Sequence, residues 1–119
     1  MNSVIFCHQA QIETQQIGAL RMQVFGHSEH MTVLHWILPD GSVFQEHHHP
    51  QEQLAYVIRG CLHMTVNGVS AVLKAGDAVI VPSDAPHSVT VVGEAETIDV
   101  FSPIRTELPG FLKPREEGQ

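Results

Sequence analysis

The sequence predicts an all-β fold, a small antiparallel sandwich or barrel. Three observations carry this. Between its two ends the chain is a series of short segments rich in Val, Ile and Leu, each of strand length. Turn residues punctuate them: Pro39-Asp40-Gly41, Arg59-Gly60, Asn67-Gly68, Ala75-Gly76-Asp77, Pro82-Ser83-Asp84 and Gly93. No segment keeps a long helical period of apolar residues.

Each element follows in order. The apolar stretch Val4-Ile5-Phe6 is better covered than left free. With the edge strands of a small sandwich, it predicts a homodimer. Residues 27–38 carry Val, Thr, Trp and Ile and stop at Pro39-Asp40-Gly41, which favours a strand over a short helix. Residues 47–53, HHHPQEQ, read as strand, turn, strand, because Pro50 cannot donate to a ladder. LAYVI continues that second strand. CLHMTV–NG–VSAVL is the clearest hairpin, since Asn67-Gly68 suits a type I′ turn. Gly76-Asp77 turns into a buried strand over residues 78–81. A tight loop at residues 82–86 follows, and His87 leads into SVTVV. Residues 97–101 form the last strand. The end, KPREEGQ, is a charged tail expected to fray.

The 119 residues fit one domain, with a barrel core over about residues 18–108. Six basic against thirteen acidic residues give a formal charge of −7. That balance disfavours a nucleic-acid or anionic-membrane partner, both of which need a basic footprint. It leaves room for a small anionic substrate. Cys7 and Cys61 do not make a disulfide framework. The N-terminus lacks a basic n-region, and no apolar run is long enough to span a bilayer, so the expected location is cytoplasmic.

The histidine triplet carries the chemistry. On a strand, His47 and His49 share one face and His48 points the other way. Gln53 then opens the next strand and can face back toward the two imidazoles. Neutral imidazole is the commonest side-chain metal ligand. His87, brought alongside by a closed barrel, is the candidate fourth ligand. Read singly, the triplet also fits a solvated loop, and His87 a structural role. His8, His27, His30, His35 and His63 receive no metal role. Mid-strand His63 is expected to be a partnered structural histidine.

Gly41-x5-His47-x-His49-x3-Gln53-x6-Gly60 resembles the first motif of the cupin superfamily, and Gly76-x5-Pro82-x-Asp84-x2-His87 resembles the second. Three positions depart: Gln53 replaces the usual glutamate, Asp84 the usual glycine, and Val91 the usual asparagine. The resemblance implies a double-stranded β-helix, the cupin jelly-roll barrel. It also implies one divalent transition metal inside, held by His47, His49, Gln53 and His87. Imidazole and oxygen donors suit Zn, Ni, Mn or Fe without naming one. A neutral amide in place of a carboxylate leaves the metal more electrophilic.

A second constellation is IDVFSPIR, residues 98–105. On a strand Thr97, Asp99 and Phe101 share a face, and in a barrel Asp99 points into the cavity. Arg105 follows the Ser-Pro turn and can fold over the mouth. An inward Asp moves protons and an Arg fork grips a carboxylate. An Asp99–Arg105 ion pair that only pins the strand fits the same pattern. HHHPQEQLAYVIRG, the ligand-position Gln and DVFSPIR are similar to the KdgF-type pectin-degradation cupins, over about residues 18–108. That resemblance implies active-site roles for Asp99, Phe101 and Arg105. It also implies conversion of a small acidic sugar, a 4,5-unsaturated uronate, to its linear keto form. Two rivals remain on the sequence: a metal-dependent dioxygenase with a mostly apolar pocket, and a non-catalytic binding cupin.

Overall fold

The structure, a computed structural model, describes residues 4–108, and the charged tail lies outside them. Eight strands follow a 3-10 turn at Gln9–Gln11: β1 (Thr14–Ile17), β2 (Leu20–His27), β3 (Thr32–Leu38), β4 (Val43–His47), β5 (Glu52–Val66), β6 (Val69–Lys74), β7 (Ala78–Val81) and β8 (His87–Ser102). No α-helix occurs among the described residues. None of their helices is long and apolar enough to cross a membrane.

All pairings are antiparallel, in the order β1-β2-β3-β8-β5-β6, with β4 on β8 and β7 on β5. The two long strands fold the sheet over on itself. Residues 52–59 of β5 pair with residues 96–102 of β8, whose other neighbour there is β3. Residues 61–66 of β5 pair with residues 87–92 of β8, beside β4 and β6. Two layers result, joined through β5 and β8, with the core between them.

The sequence reading expects turns at Arg59-Gly60 and Gly93, and the structure corrects this. Both glycines have positive φ, +88° and +75°, and act as bends inside continuous strands. At Gly60 a Cβ would lie 2.6 Å from the Ala95 Cα and from the Glu94 carbonyl oxygen. Only glycine allows the two backbones so close. The register slips around Arg59, and the inward parity switches. Gln53, Ala55 and Val57 face in before the slip, Leu62 and Met64 after it. Asn67-Gly68 makes the expected two-residue turn, with Val66 opposite Val69. The expected strand over residues 27–38 divides in two. Ser28 Oγ accepts from the His30 and Met31 amides, which closes a turn between β2 and β3.

The core includes Met22, Leu34, Trp36, Leu38, Val57, Val81, Val91 and Phe101. Val91, at the position where the resembled motif has asparagine, is one of its packing residues. The partnered structural histidine is His35, not His63. His35 is buried, 3.1 Å from Gln23 Oε1 and 2.6 Å from Glu96 Oε2, and it stacks on Phe25. His63 lies exposed on β5 with no polar partner among the described residues.

Candidate metal centre and active-site cavity

Two imidazoles are placed by the ladder. His47 ends β4, His87 begins β8, and the two stand directly opposite each other with ring centroids 4.2 Å apart. His49 arrives differently from the sequence expectation. β4 stops at His47, so His49 sits in a loop and not further along the strand. The loop of the second motif holds it: the Asp84 amide donates to the His49 carbonyl at 2.8 Å, and Ser83 Oγ donates to the Pro50 carbonyl at 2.6 Å. Asp84 has φ +59°, the conformation in which glycine is unstrained and aspartate is among the better-tolerated alternatives. His48 points away, as expected, and pairs with Asp84 at the surface.

The three ring tautomers follow from their partners. His47 Nδ1 donates to the Gln45 carbonyl at 2.8 Å, His49 Nδ1 to Gln51 at 3.0 Å, and His87 Nδ1 to Ala85 at 2.8 Å. A carbonyl only accepts, so each neutral ring carries its proton on Nδ1 and offers a lone pair on Nε2. One ring nitrogen from each histidine lies within 4.8 Å of the other two. His87 Nε2 is buried without a hydrogen-bond partner. Burial first, then the Arg105 charge, holds His49 below the usual imidazole range. Burial does the same for His87, against its bond to Ala85. Both rings are therefore neutral, as ligation requires.

Gln53 is the candidate fourth donor, with Asp99 acting on its other side. The Gln53 side chain lowers the Asp99 carboxyl against its burial, as a donating amide nitrogen does, which leaves the amide oxygen toward the imidazoles. Gln53 Oε1 lies 3.1 Å from His49 Nε2. Both are lone-pair atoms with no proton between them. Their spacing is that of two ligands about 2.1 Å from a common ion and roughly at right angles. Three imidazoles, one amide oxygen and an orphaned buried nitrogen fit a divalent transition metal. The arrangement also accounts for the departure from glutamate. A carboxylate at position 53 would face the Asp99 carboxylate across a hydrogen-bond distance, and the two could not both ionise.

The cavity beside this centre has a volume of about 170 Å³. His47, Gln53 and His87 line it together with Thr97, Asp99, Phe101 and Arg105. Most of the remaining lining is apolar, with Leu34, Leu38, Leu62, Met64 and Val89 among it. Protein surrounds the Asp99 carboxyl, although the cavity leaves part of the residue accessible. Burial raises it to about 6, opposed by hydrogen bonds from Gln53 and Trp36 and by the Arg105 charge. A carboxyl near 6 is suited to accept and return a proton at neutral pH. The alternative Asp99–Arg105 ion pair does not form. Arg105 Nε instead donates to Glu107 Oε1 at 2.5 Å, and its Cζ stands 4.9 Å from the Phe101 ring centroid. Phe101 packs edge-on against His49. Trp36 is the residue the sequence reading missed. It lies on β3 opposite Thr97, two pairs along from the Leu34–Asp99 pairing, and no local sequence pattern marks it.

The sequence profile of the cupin domain family (Cupin_2) matches residues 34–101, more than half of the chain. The chain belongs to the cupin family. A solved RmlC-like cupin from Shewanella frigidimarina is 33% identical and superposes with a TM-score of 0.81, covering 87% of this chain and 94% of that one. The fold is thus the cupin jelly roll, the double-stranded β-helix. The pectin degradation protein KdgF of Dickeya dadantii is 33% identical over 69 residues, 56% of this cupin and 63% of that protein. The polyketide synthase CurC of Streptomyces cyaneus is 33% identical over 66 residues, 55% of this chain and 43% of that protein. The match thus spans less than two thirds of the length of either relative.

Proposed function

We propose that this cupin is a metal-dependent enzyme that converts 4,5-unsaturated uronate monosaccharides to linear keto forms in pectin or alginate breakdown. The observation that carries the reading is the joint placement of Asp99, Phe101 and Arg105 on the cavity of the histidine cluster. The similarity to KdgF, a pectin degradation protein, supports it. His47, His49, Gln53 and His87 hold the metal, which when bound supplies Lewis acidity toward substrate oxygens. Arg105, whose Nε is taken by Glu107, presents its remaining guanidinium nitrogens to the carboxylate. Phe101 walls one side of the sugar. Asp99 takes the hemiacetal proton as the ring C–O bond opens. It then returns a proton to the vinylic carbon of the released enol, giving the α-keto acid.

The test is bleaching of the substrate's ultraviolet absorbance under nitrogen, without added oxidant or nicotinamide. The blank and His49→Ala are the references, because the ring also opens slowly by itself. Wild type no faster than the blank, with any of several metals and with galacturonate- and guluronate-derived monomers, refutes the reading. The apolar side of the cavity favours the dioxygenase as second reading. It would require oxygen and would be silent under nitrogen.

The same proposal places the protein in the cytoplasm as a homodimer. Its two free thiols, Cys7 and Cys61, suit a reducing compartment. Leu54, Tyr56 and Ile58 on β5 and Ile80 on β7 are exposed together on one outer face, and Val4, Ile5 and Phe6 are exposed as well. A second copy is the proposed cover. Light scattering at twice the 13.1 kDa chain mass is expected, and a clean monomer overturns it.

A further inference from the structure

Arg105 lies outside any strand, yet one peptide group beside it is held at both polar ends. The Ile104 carbonyl accepts from Gln51 Nε2 at 3.1 Å. The Arg105 amide, the other end of the same peptide, donates to Thr32 Oγ1 at 2.9 Å. Thr32 is fully buried and Gln51 is 7% exposed. The two come from separate places. Thr32 begins β3, opposite Phe101 in the ladder. Gln51 lies in the loop of His49, and its own carbonyl accepts the His49 Nδ1 proton. Gln51 Oε1 is buried with no partner. An amide satisfied at one end only is a poor choice for stability alone.

We propose that Gln51 and Thr32 are positioning residues for Arg105. They fix the Ile104–Arg105 peptide so that the guanidinium stands over Phe101 at the cavity mouth. Gln51 also ties that peptide to the His49 loop, so the anion-binding group and the metal centre share one support. The inference rests on the reading of Arg105 as the receiver of a substrate carboxylate. A planar fork gives affinity in proportion to how well it is aimed beforehand, because an unheld arginine must be ordered at each binding event. Loss of the clamp therefore weakens substrate binding and leaves the chemical step and the metal largely intact.

The experiment uses the metal-loaded full chain with Thr32→Val, Thr32→Ser and Gln51→Leu. Thr32→Val and Gln51→Leu are expected to raise KM for the unsaturated galacturonate at least about fivefold with kcat within about twofold. Metal content should match wild type. Thr32→Ser keeps the accepting oxygen and should restore KM to within about twofold of wild type. Adding Thr32→Val to Arg105→Ala should cost nothing further, because the clamp acts through Arg105. An unchanged KM, or an effect that multiplies that of Arg105→Ala, overturns the proposal. Nitrogen-15 NMR of the ligand-free protein separates this from the uronate reading. The Arg105 Nε–H signal, assigned by its loss in Arg105→Lys, should be sharp and dispersed in wild type. It should collapse toward the free-arginine position in Thr32→Val and Gln51→Leu. If wild type leaves the uronate untouched, the reaction reading falls and this signal decides the clamp alone, with an unmoved signal overturning it. If Gln51→Leu does not fold, the Thr32→Val and Thr32→Ser pair decides.

Discussion

Asp99→Asn separates the catalytic reading of that carboxyl from a structural one. Asparagine keeps the shape of the side chain and an oxygen toward Gln53 and Trp36, the groups that act on the wild-type carboxyl, so the fold survives. What it removes is the titration. The wild-type carboxyl sits at about 6 against an ordinary 3.8. The folded state thus binds this proton more tightly than the unfolded chain. Its stabilising contribution is complete below the unfolded value and is lost as pH rises through about 6. The rise from 3.8 to about 6 corresponds to roughly 3 kcal/mol. In metal-free protein at pH 8, Asp99→Asn should therefore be more stable than wild type by up to about 3 kcal/mol. The gap should fall to about half by pH 5 and close only below the unfolded value of 3.8. The charged group that acts on Asp99 is Arg105, and it is present in both proteins. Urea unfolding in the presence of a chelator measures the gap. Turnover of the loaded variant should fall about a hundredfold or more with metal content unchanged. A stability gap that ignores pH, or a variant that unfolds while its folded fraction turns over normally, refutes the argument.

Purified protein should hold about one divalent metal per chain by elemental analysis, and His49→Ala should lose it. Less than about a tenth of an equivalent after incubation with Zn, Ni, Mn or Fe counts against the ligand set. Gln53→Glu should retain metal but lose turnover about tenfold or more, because its carboxylate competes with Asp99 for one proton. Normal kinetics in that variant would show that the two groups do not interact. Gly60→Ala should destabilise by about 2 kcal/mol or more, since it meets the backbone at Ala95 as well as backbone strain. Gly76→Ala, at φ +91° with open space around it, should show the strain alone, and equal losses in the two would refute the close-approach argument.

The strands and the histidine cluster were legible because their signals are local. The Asn67-Gly68 turn, the His47-x-His49 spacing and the alternation through Asp99 each depend on a few neighbouring residues. What failed was the reading of glycine as a stop. Gly60 and Gly93 look like turn residues in sequence, and only a long-range contact, β5 against residues 94–95, decides that the chain passes straight through. His49 does join His47 and His87 in one cluster, but strand alternation is an incomplete reason for it. Its position depends on the Asp84 amide and Ser83 hydroxyl of a distant loop, not on strand alternation. Trp36, Thr32 and Gln51 act on Asp99 and Arg105 through contacts across the barrel, so no local pattern marks them.

The same long-range logic ties the substitution at position 53 to the chemistry. Taken by itself, an amide in a ligand position weakens a metal site by removing a charge. With Asp99 placed one cross-strand step away, through the Ala55–Asp99 pairing, the amide becomes the only donor that serves both sides. In the proposed reading its oxygen would go to the metal and its nitrogen would face the carboxylate. A glutamate there would force a choice between binding the metal and keeping Asp99 free to move a proton. In that proposed reading Gln53 and Asp99 are thus one functional unit. Substituting either alone tests the other, and the Gln53→Glu and Asp99→Asn changes combined should recover part of what Gln53→Glu loses in stability, since the like-charge contact is then gone.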